Sequence, residues 1–308
     1  MKGFASSHFS IYLKLLFHTI KPLEGLFFMN NLFSVTQKNR IYFLGICIFL
    51  LTNCRVTSLN SSSLQKGTPT FLDEQFYYNQ KGILQFQKIT GADWEVDRSG
   101  LIDLKDPISK QKGLIDGKEA IQINFYIIDH PIHGRFLIDT GMGNVFKKEK
   151  SAWPFTWIVK KAMKTDALKI KTTTGEWISK NPGKINGVFL THMHLYHIMG
   201  TNDLSSDIPI MVGMGESISK SFTNMFVQGN TDIFLKGKTI QELKFSEPSP
   251  DLGLSILDFF GDKSFLIFHS PGHTNGSLAF LVHSKEGLQL LLGDTCHTSF
   301  GWENNVSP

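Results

Sequence analysis

Three cysteines, Cys47, Cys54 and Cys296, are all the thiols the chain has, too few and too scattered for a disulfide framework to hold a fold. Long apolar runs are missing as well. The stretch 41–51 spans 11 residues, about half of the roughly 20 that a membrane-crossing helix needs. Neither sign of charge dominates: the formal net charge is +4. No run of Lys and Arg is interleaved with stacking aromatics, so no nucleic-acid partner is expected. Charged residues make up 19% of the chain against 41% hydrophobic, a balance that excludes a long disordered or collagen-like chain. What is left is a chain of 308 residues, long enough to bury a core as one large domain.

The cysteines matter by position. Cys47 lies inside the apolar stretch 41–51 and Cys54 just beyond it, with Lys38 and Arg40 ahead of both. A basic start, a short apolar core and a processing site make the layout of a secretory signal. Leu51-Thr52-Asn53-Cys54 resembles a bacterial lipobox, whose cysteine becomes the lipidated first residue of the mature chain; Asn53 departs from the small residue usual there. Met29 is a second candidate start, and translation from it leaves a signal of ordinary length. The expected organisation is an N-terminal extension and signal peptide over 1–53, a polar tether over 54–68 marked by Ser58 and Ser61 to Ser63, and a folded domain over 69–308. Export follows as an expectation, with a membrane anchor through lipid on Cys54 at the periplasmic or cell-surface side.

Within the domain, Ile121, Ile123, Phe125 and Ile127 alternate with polar Gln122 and Asn124, which predicts a half-buried strand over 120–129. A second is predicted over 82–89. The apolar run 135–138 ends in Asp139-Thr140-Gly141, a strand entering a tight turn. Residues 144–180 carry Trp153, Phe155, Trp157, Ile158 and Met163 among many lysines, and predict an amphipathic helix beyond Pro154 that covers the sheet or walls a pocket. Short strands are expected at 187–190, 208–212, 255–259, 265–268, 277–282 and 288–292. Strands with interspersed helices and no short repeat predict mixed α/β sheet layers.

The residues that carry chemistry cluster at strand ends. In Thr191-His192-Met193-His194-Leu195-Tyr196-His197, residues two apart on extended chain point the same way, so His192 and His194 aim at one point. If a helix begins there, His194 and His197 share a face. Imidazoles are good zinc ligands, and a catalytic site takes three protein ligands and leaves a place for water. A random cluster of surface histidines is the plainer reading. Against it stands His273 in Ser270-Pro271-Gly272-His273-Thr274-Asn275-Gly276-Ser277, a rigid loop after an apolar strand. Asp294 then ends another strand, after Gly293, where a carboxylate can bridge metals or orient water.

Taken in order, Phe136 to Gly141, Thr191 to His197, Pro271-Gly272-His273-Thr274 with Gly276-Ser277, and Gly293-Asp294 resemble the metallo-β-lactamase superfamily. The resemblance implies an αββα sandwich with a metal site at one edge of two sheets. It also implies zinc or iron that activates water toward an ester, lactone, thioester, β-lactam or phosphodiester of a small-molecule substrate. The implied metal ligands are His192, His194, His197, His273 and Asp294, with Asp294 and His197 as catalytic groups and Asp139 fixing the histidine loop through hydrogen bonds. Two departures fall on a second ion: Tyr196 stands where the family has an aspartate, and the family's last helix and strand, with one more histidine, have no counterpart before Pro308. One zinc ion is therefore expected rather than two. Cys296 and His297 lie close enough in sequence to Asp294 to reach the same side. A lipoprotein that keeps the fold and binds a metal or ligand without catalysis is the alternative.

Overall fold

In the computed structural model, residues 54–248 and 253–307 are described; the expected signal, with Met29 and Cys47, lies outside them. Two sheets carry the chain. The strands are β1 (Ser61–Leu64), β2 (Thr68–Pro69), β3 (Gln85–Asp97), β4 (Lys118–His130), β5 (Gly134–Ile138), β6 (Lys169–Ile170), β7 (Ile185–Phe189), β8 (Ile210–Val212), β9 (Ile240–Leu243), β10 (Ser255–Asp258), β11 (Phe265–His269), β12 (Leu278–Ser284) and β13 (Gly287–Leu291). The helices are α1 (Glu74–Asn79), α2 (Pro107–Gln111), α3 (Trp157–Ala162), α4 (Thr174–Lys180), α5 (Leu195–Ile198), α6 (Asn224–Leu235) and α7 (Ser299–Asn304). The larger sheet runs β1-β9-β8-β7-β5-β4-β3-β6 and the smaller β13-β12-β11-β10-β2.

Strand alternation sorts side chains into layers, because successive residues point to opposite faces. On β12, Leu278, Phe280 and Val282 enter the core between the sheets, while Ala279 and Leu281 turn to the outer face of the small sheet, with Tyr77 of α1. On β4 and β5, Ile128, Phe136 and Ile138 face the inter-sheet core, whereas Phe125, Ile127 and Leu137 face a third cluster with Trp177 of α4 and Phe234 of α6. Helix, sheet, sheet and helix follow in order, the expected αββα sandwich. The small sheet is buried on both faces, and β11 and β12 accordingly read as near-continuous apolar runs.

Three sequence readings change. Residues 54–68, expected as a polar tether, are packed against the domain: Val56 and Thr57 are buried, Ser61–Leu64 pairs in parallel with Ile240–Leu243, and Thr57 Oγ1 donates to Asp232 at 2.5 Å. Serine-rich chain pairs as an edge strand when its amides and hydroxyls meet partners, and Ser61 Oγ lies 2.9 Å from Ser217 Oγ. The strand expected at 82–89 runs instead from Gln85 to Asp97, with a register shift between Thr90 and Ala92 that lets it bend around the sheet. The stretch 144–180 is not one helix. Trp153 and Phe155 pack inward on Phe146, and the helical pieces α3 and α4 are separated by the short β6.

Candidate metal centre

Four backbone devices bring the site residues together. Directly after strand β5 comes Asp139, whose backbone is left-handed at φ 56°, a conformation that aspartate tolerates better than most side chains. That turn aims the carboxylate under the histidine loop. Asp139 accepts from Thr191 N at 2.8 Å and from His197 Nδ1 at 2.7 Å, while Thr140 N donates to His197 O at 2.9 Å. Gly141 follows at φ 56°, where a Cβ would sit 2.5 Å from Phe125. Strand β7 then delivers Thr191 and His192, and α5 starts directly after His194.

The loop between β11 and β12 holds His273. Its base is closed by Ser270 N donating to Ser277 O at 2.9 Å and by Leu278 N donating to Thr191 O at 2.8 Å, so the two ligand loops share a main-chain bond. After β13, Gly293 at φ 55° passes Thr191 so closely that a Cβ would lie 2.7 Å from Thr191 Cβ, and this close passage carries Asp294 into the site.

One ligating atom from each of His192, His194, His273 and Asp294 lies within 4.8 Å of all the others. His273 Nε2 is 2.9 Å from His194 Nδ1, and Asp294 Oδ2 is 3.5 Å from both His192 Nε2 and His273 Nε2. Ligands about 2.0–2.1 Å from a tetrahedral ion stand about 3.3 Å apart, so these separations suit one ion. The donor chemistry agrees. Among the described residues the buried Nε2 of His192 has no hydrogen-bond partner, a costly arrangement unless something else occupies it. Burial and neighbouring imidazoles hold His192 well below its ordinary pKa and His194 down at about 3, and burial lowers His273. Three neutral imidazoles are the ligating form. At Asp294 burial opposes the charge, but the protonated His197 outweighs it and holds the carboxyl well below the usual range.

His197 stands apart from those four. Its Nδ1 is taken by Asp139 and its Nε2 lies 3.3 Å from Asp294 Oδ1. Burial pulls its pKa down, yet the two carboxylates more than compensate and lift it to about 10; without an ion it is a proton holder. Tyr196 donates to Asp294 Oδ2, and burial followed by the Asp294 charge pushes its phenol well above the ordinary value, so it stays a neutral donor. His297 reaches the same carboxylate, Nε2 to Oδ2 at 3.2 Å. Cys296 does not join: its Sγ donates to Thr298 O at 3.3 Å, and burial raises its pKa.

Sequence reasoning missed Glu216. Fully buried, it accepts from Met193 N at 2.7 Å, between two of the histidines, and from Thr274 Oγ1 at 2.6 Å and Gly276 N at 3.0 Å in the other loop. The fit leaves no spare room: a Cβ on Gly276 would lie 2.4 Å from Glu216 Cβ, and one on Gly213 would lie 2.1 Å from Gly276 O. The only trace in sequence is the glycine-flanked acid of Gly213-Met214-Gly215-Glu216.

A cavity of 760 Å³ opens beside Asp294 on the Tyr196, His197 and His297 side, walled by Trp94, Ile121, Tyr126, Met163 and Leu292, with Asn124 and Lys164 as polar points. Trp94 rests on Tyr196, ring centroids 5.8 Å apart.

The chain is 22% identical over 219 residues to Gamma-lactamase FDB1 of Fusarium pseudograminearum (strain CS3096), a match covering 66% of this chain and 52% of that protein. It is also 26% identical over 122 residues to Cytochrome P450 monooxygenase mpaDE of Penicillium roqueforti (strain FM164), covering 37% of this chain and 14% of that one. The chain thus spans about half the length of the first of these relatives and far less of the second. Among solved structures, an AiiA mutant of B. thuringiensis with N-decanoyl-L-homoserine bound at the active site is similar at 15% identity and TM-score 0.48, over 74% of this chain and 81% of that one. The family model of the metallo-beta-lactamase superfamily matches residues 119–305, and the chain belongs to that superfamily.

Proposed function

We propose that this chain is a hydrolase that works with one divalent ion, zinc in preference to iron, held by His192, His194 and His273, with Asp294 beside it to hold the water. The observation that carries the reading is the convergence of those four ligating atoms within 4.8 Å at the edge of the cavity. An ion there supplies a Lewis acid for a scissile carbonyl or phosphoryl oxygen and makes water nucleophilic near neutral pH. The rest falls to the chain. Asp294 orients the attacking water and takes its proton, with Tyr196 fixing Oδ2 and leaving Oδ1 toward His197. His197 holds a proton at Nε2 on the cavity side, in reach of a leaving group, and Asp139 keeps its ring in place through Nδ1. Apolar walls from Trp94, Ile121 and Leu292 exclude bulk water and suit an acyl compound, so an ester, lactone, thioester or lactam fits better than a phosphodiester. The similarity to a gamma-lactamase supports the same choice.

Elemental analysis of the purified chain, followed by a screen with chromogenic ester, lactone, β-lactam and phosphodiester substrates, tests the reading. One ion per chain and turnover abolished by a chelator are the expected results. The Tyr196 to Asp294 bond favours a second reading, a lipoprotein that binds metal or ligand without catalysis; stoichiometric metal with no turnover of any substrate would support it. Export and lipid on Cys54 belong to this proposal, and incorporation of labelled fatty acid that a Cys54→Ser variant loses is the matching test.

A further inference from the structure

Helix α6 is built inside out. It buries Asn224, Asn230 and Thr231 beside Phe234 and Leu235, and it turns Met225 and Ile233 outward at 40% and 47% exposure. Phe226, at 41%, and Phe222 just ahead of the helix, at 59%, pack on each other in the same outer stripe with ring centroids 5.6 Å apart. Positions 222, 225–226, 229 and 233 follow the spacing of one helical face, and at Gly229 a Cβ would meet nothing within 4 Å. The inward amides are used: Asn230 Nδ2 donates to Pro154 O and Asn224 Nδ2 to Ser219 O. A helix with its polar groups satisfied inside and its apolar stripe outside is patterned to be covered.

The chain's own course says by what. Asn224 Nδ2 donates to Cys54 O at 3.3 Å and Gln228 Nε2 to Arg55 O at 3.0 Å, so the first described residues enter at this helix, directly after the apolar stretch 41–51. Arg55, Lys220 and Lys236 lie exposed around it, whereas Asp232 is turned to Thr57 and Ser58. An apolar stripe with aromatic rings and a basic border is the composition of a helix lying in a phospholipid interface. We propose that the face formed by Phe222, Met225, Phe226 and Ile233 docks on an anionic phospholipid surface and fixes how the domain sits on it. The packing of residues 54–64 on the domain supports this: if Cys54 carries lipid, as proposed above, the membrane lies at this end of the helix. The inference rests on that export reading and not on the hydrolytic one.

Hydroxyl-radical footprinting of the full chain, with and without vesicles of phosphatidylethanolamine and phosphatidylglycerol, reads the exposure of these side chains directly. The chain should sediment with the vesicles, and oxidation of Phe222, Met225 and Phe226 should fall severalfold, while exposed Ile132 in the turn between β4 and β5 is oxidised as before. A chain that stays in the supernatant overturns the proposal, as does one that sediments with these side chains still oxidised at the solution rate. Protection already present without vesicles also overturns it, because the stripe is then covered by residues 1–53 or by a second copy of the chain.

Discussion

The Tyr196 hydroxyl donates to Oδ2 of Asp294, the oxygen that also lies nearest His192, His273 and His297. A neutral phenol thus bonds that carboxylate from the position where the superfamily resemblance implies an aspartate. Replacing Tyr196 with Asp removes that donor and adds a charge beside His197. Calorimetric titration with zinc should show one binding event in the parent and a second, weaker one in Tyr196→Asp. Two tight events in the parent would mean that other groups, His297 first among them, complete a second site.

Removing His192 or His273 takes one corner from the four-atom cage. Either alanine variant should bind well under one ion per chain by elemental analysis. Because the ion binds only the folded state, chelation should lower the melting temperature of the parent; an ion at a thousand times its Kd stabilises by about 4 kcal/mol. A parent that melts alike with and without chelator would show that no ion bridges the loops.

Asp139 and His197 make the pH dependence of the metal-free protein. The folded pKa of His197 is raised, to about 10 from an ordinary 6.5, so the stability it contributes is fully present below about 6.5 and is lost as pH rises through about 10. Thermal melts of metal-free parent across that window should decline with pH, and Asp139→Asn should flatten the decline while lowering the His197 pKa in an NMR titration. An unchanged His197 titration would remove Asp139 from the account.

Glu216→Ala leaves Met193 N, Gly276 N and Thr274 Oγ1 without their acceptor, at about 1–3 kcal/mol each. The variant should melt well below the parent and bind metal more weakly. Glu216→Gln keeps one acceptor oxygen and should recover part of both losses. Equal metal affinity in all three proteins would reduce Glu216 to a packing residue.

How much of this was legible in sequence depended on range. His192 and His194 were readable because alternation on extended chain is local, and His273 and Asp294 because each follows an apolar strand. The tether reading of 54–68 failed because the serines of β1 are held by residues far along the chain, Ser217 and Ile240–Leu243. Glu216 was invisible for a similar reason: an isolated acid shows its role only when two distant loops close on it. Helix α6 went unread because its inward face carries Asn224, Asn230 and Thr231, so no continuous core-facing stripe marks it.

The bond from Leu278 N to Thr191 O ties the start of β12 in the small sheet to the loop that leaves β7 in the large one. Glu216 clasps Met193 and Gly276 alongside it. Fraying of either ligand loop therefore breaks bonds to the other, and the amide hydrogens of Met193, Gly276 and Leu278 should exchange as one unit, opening together.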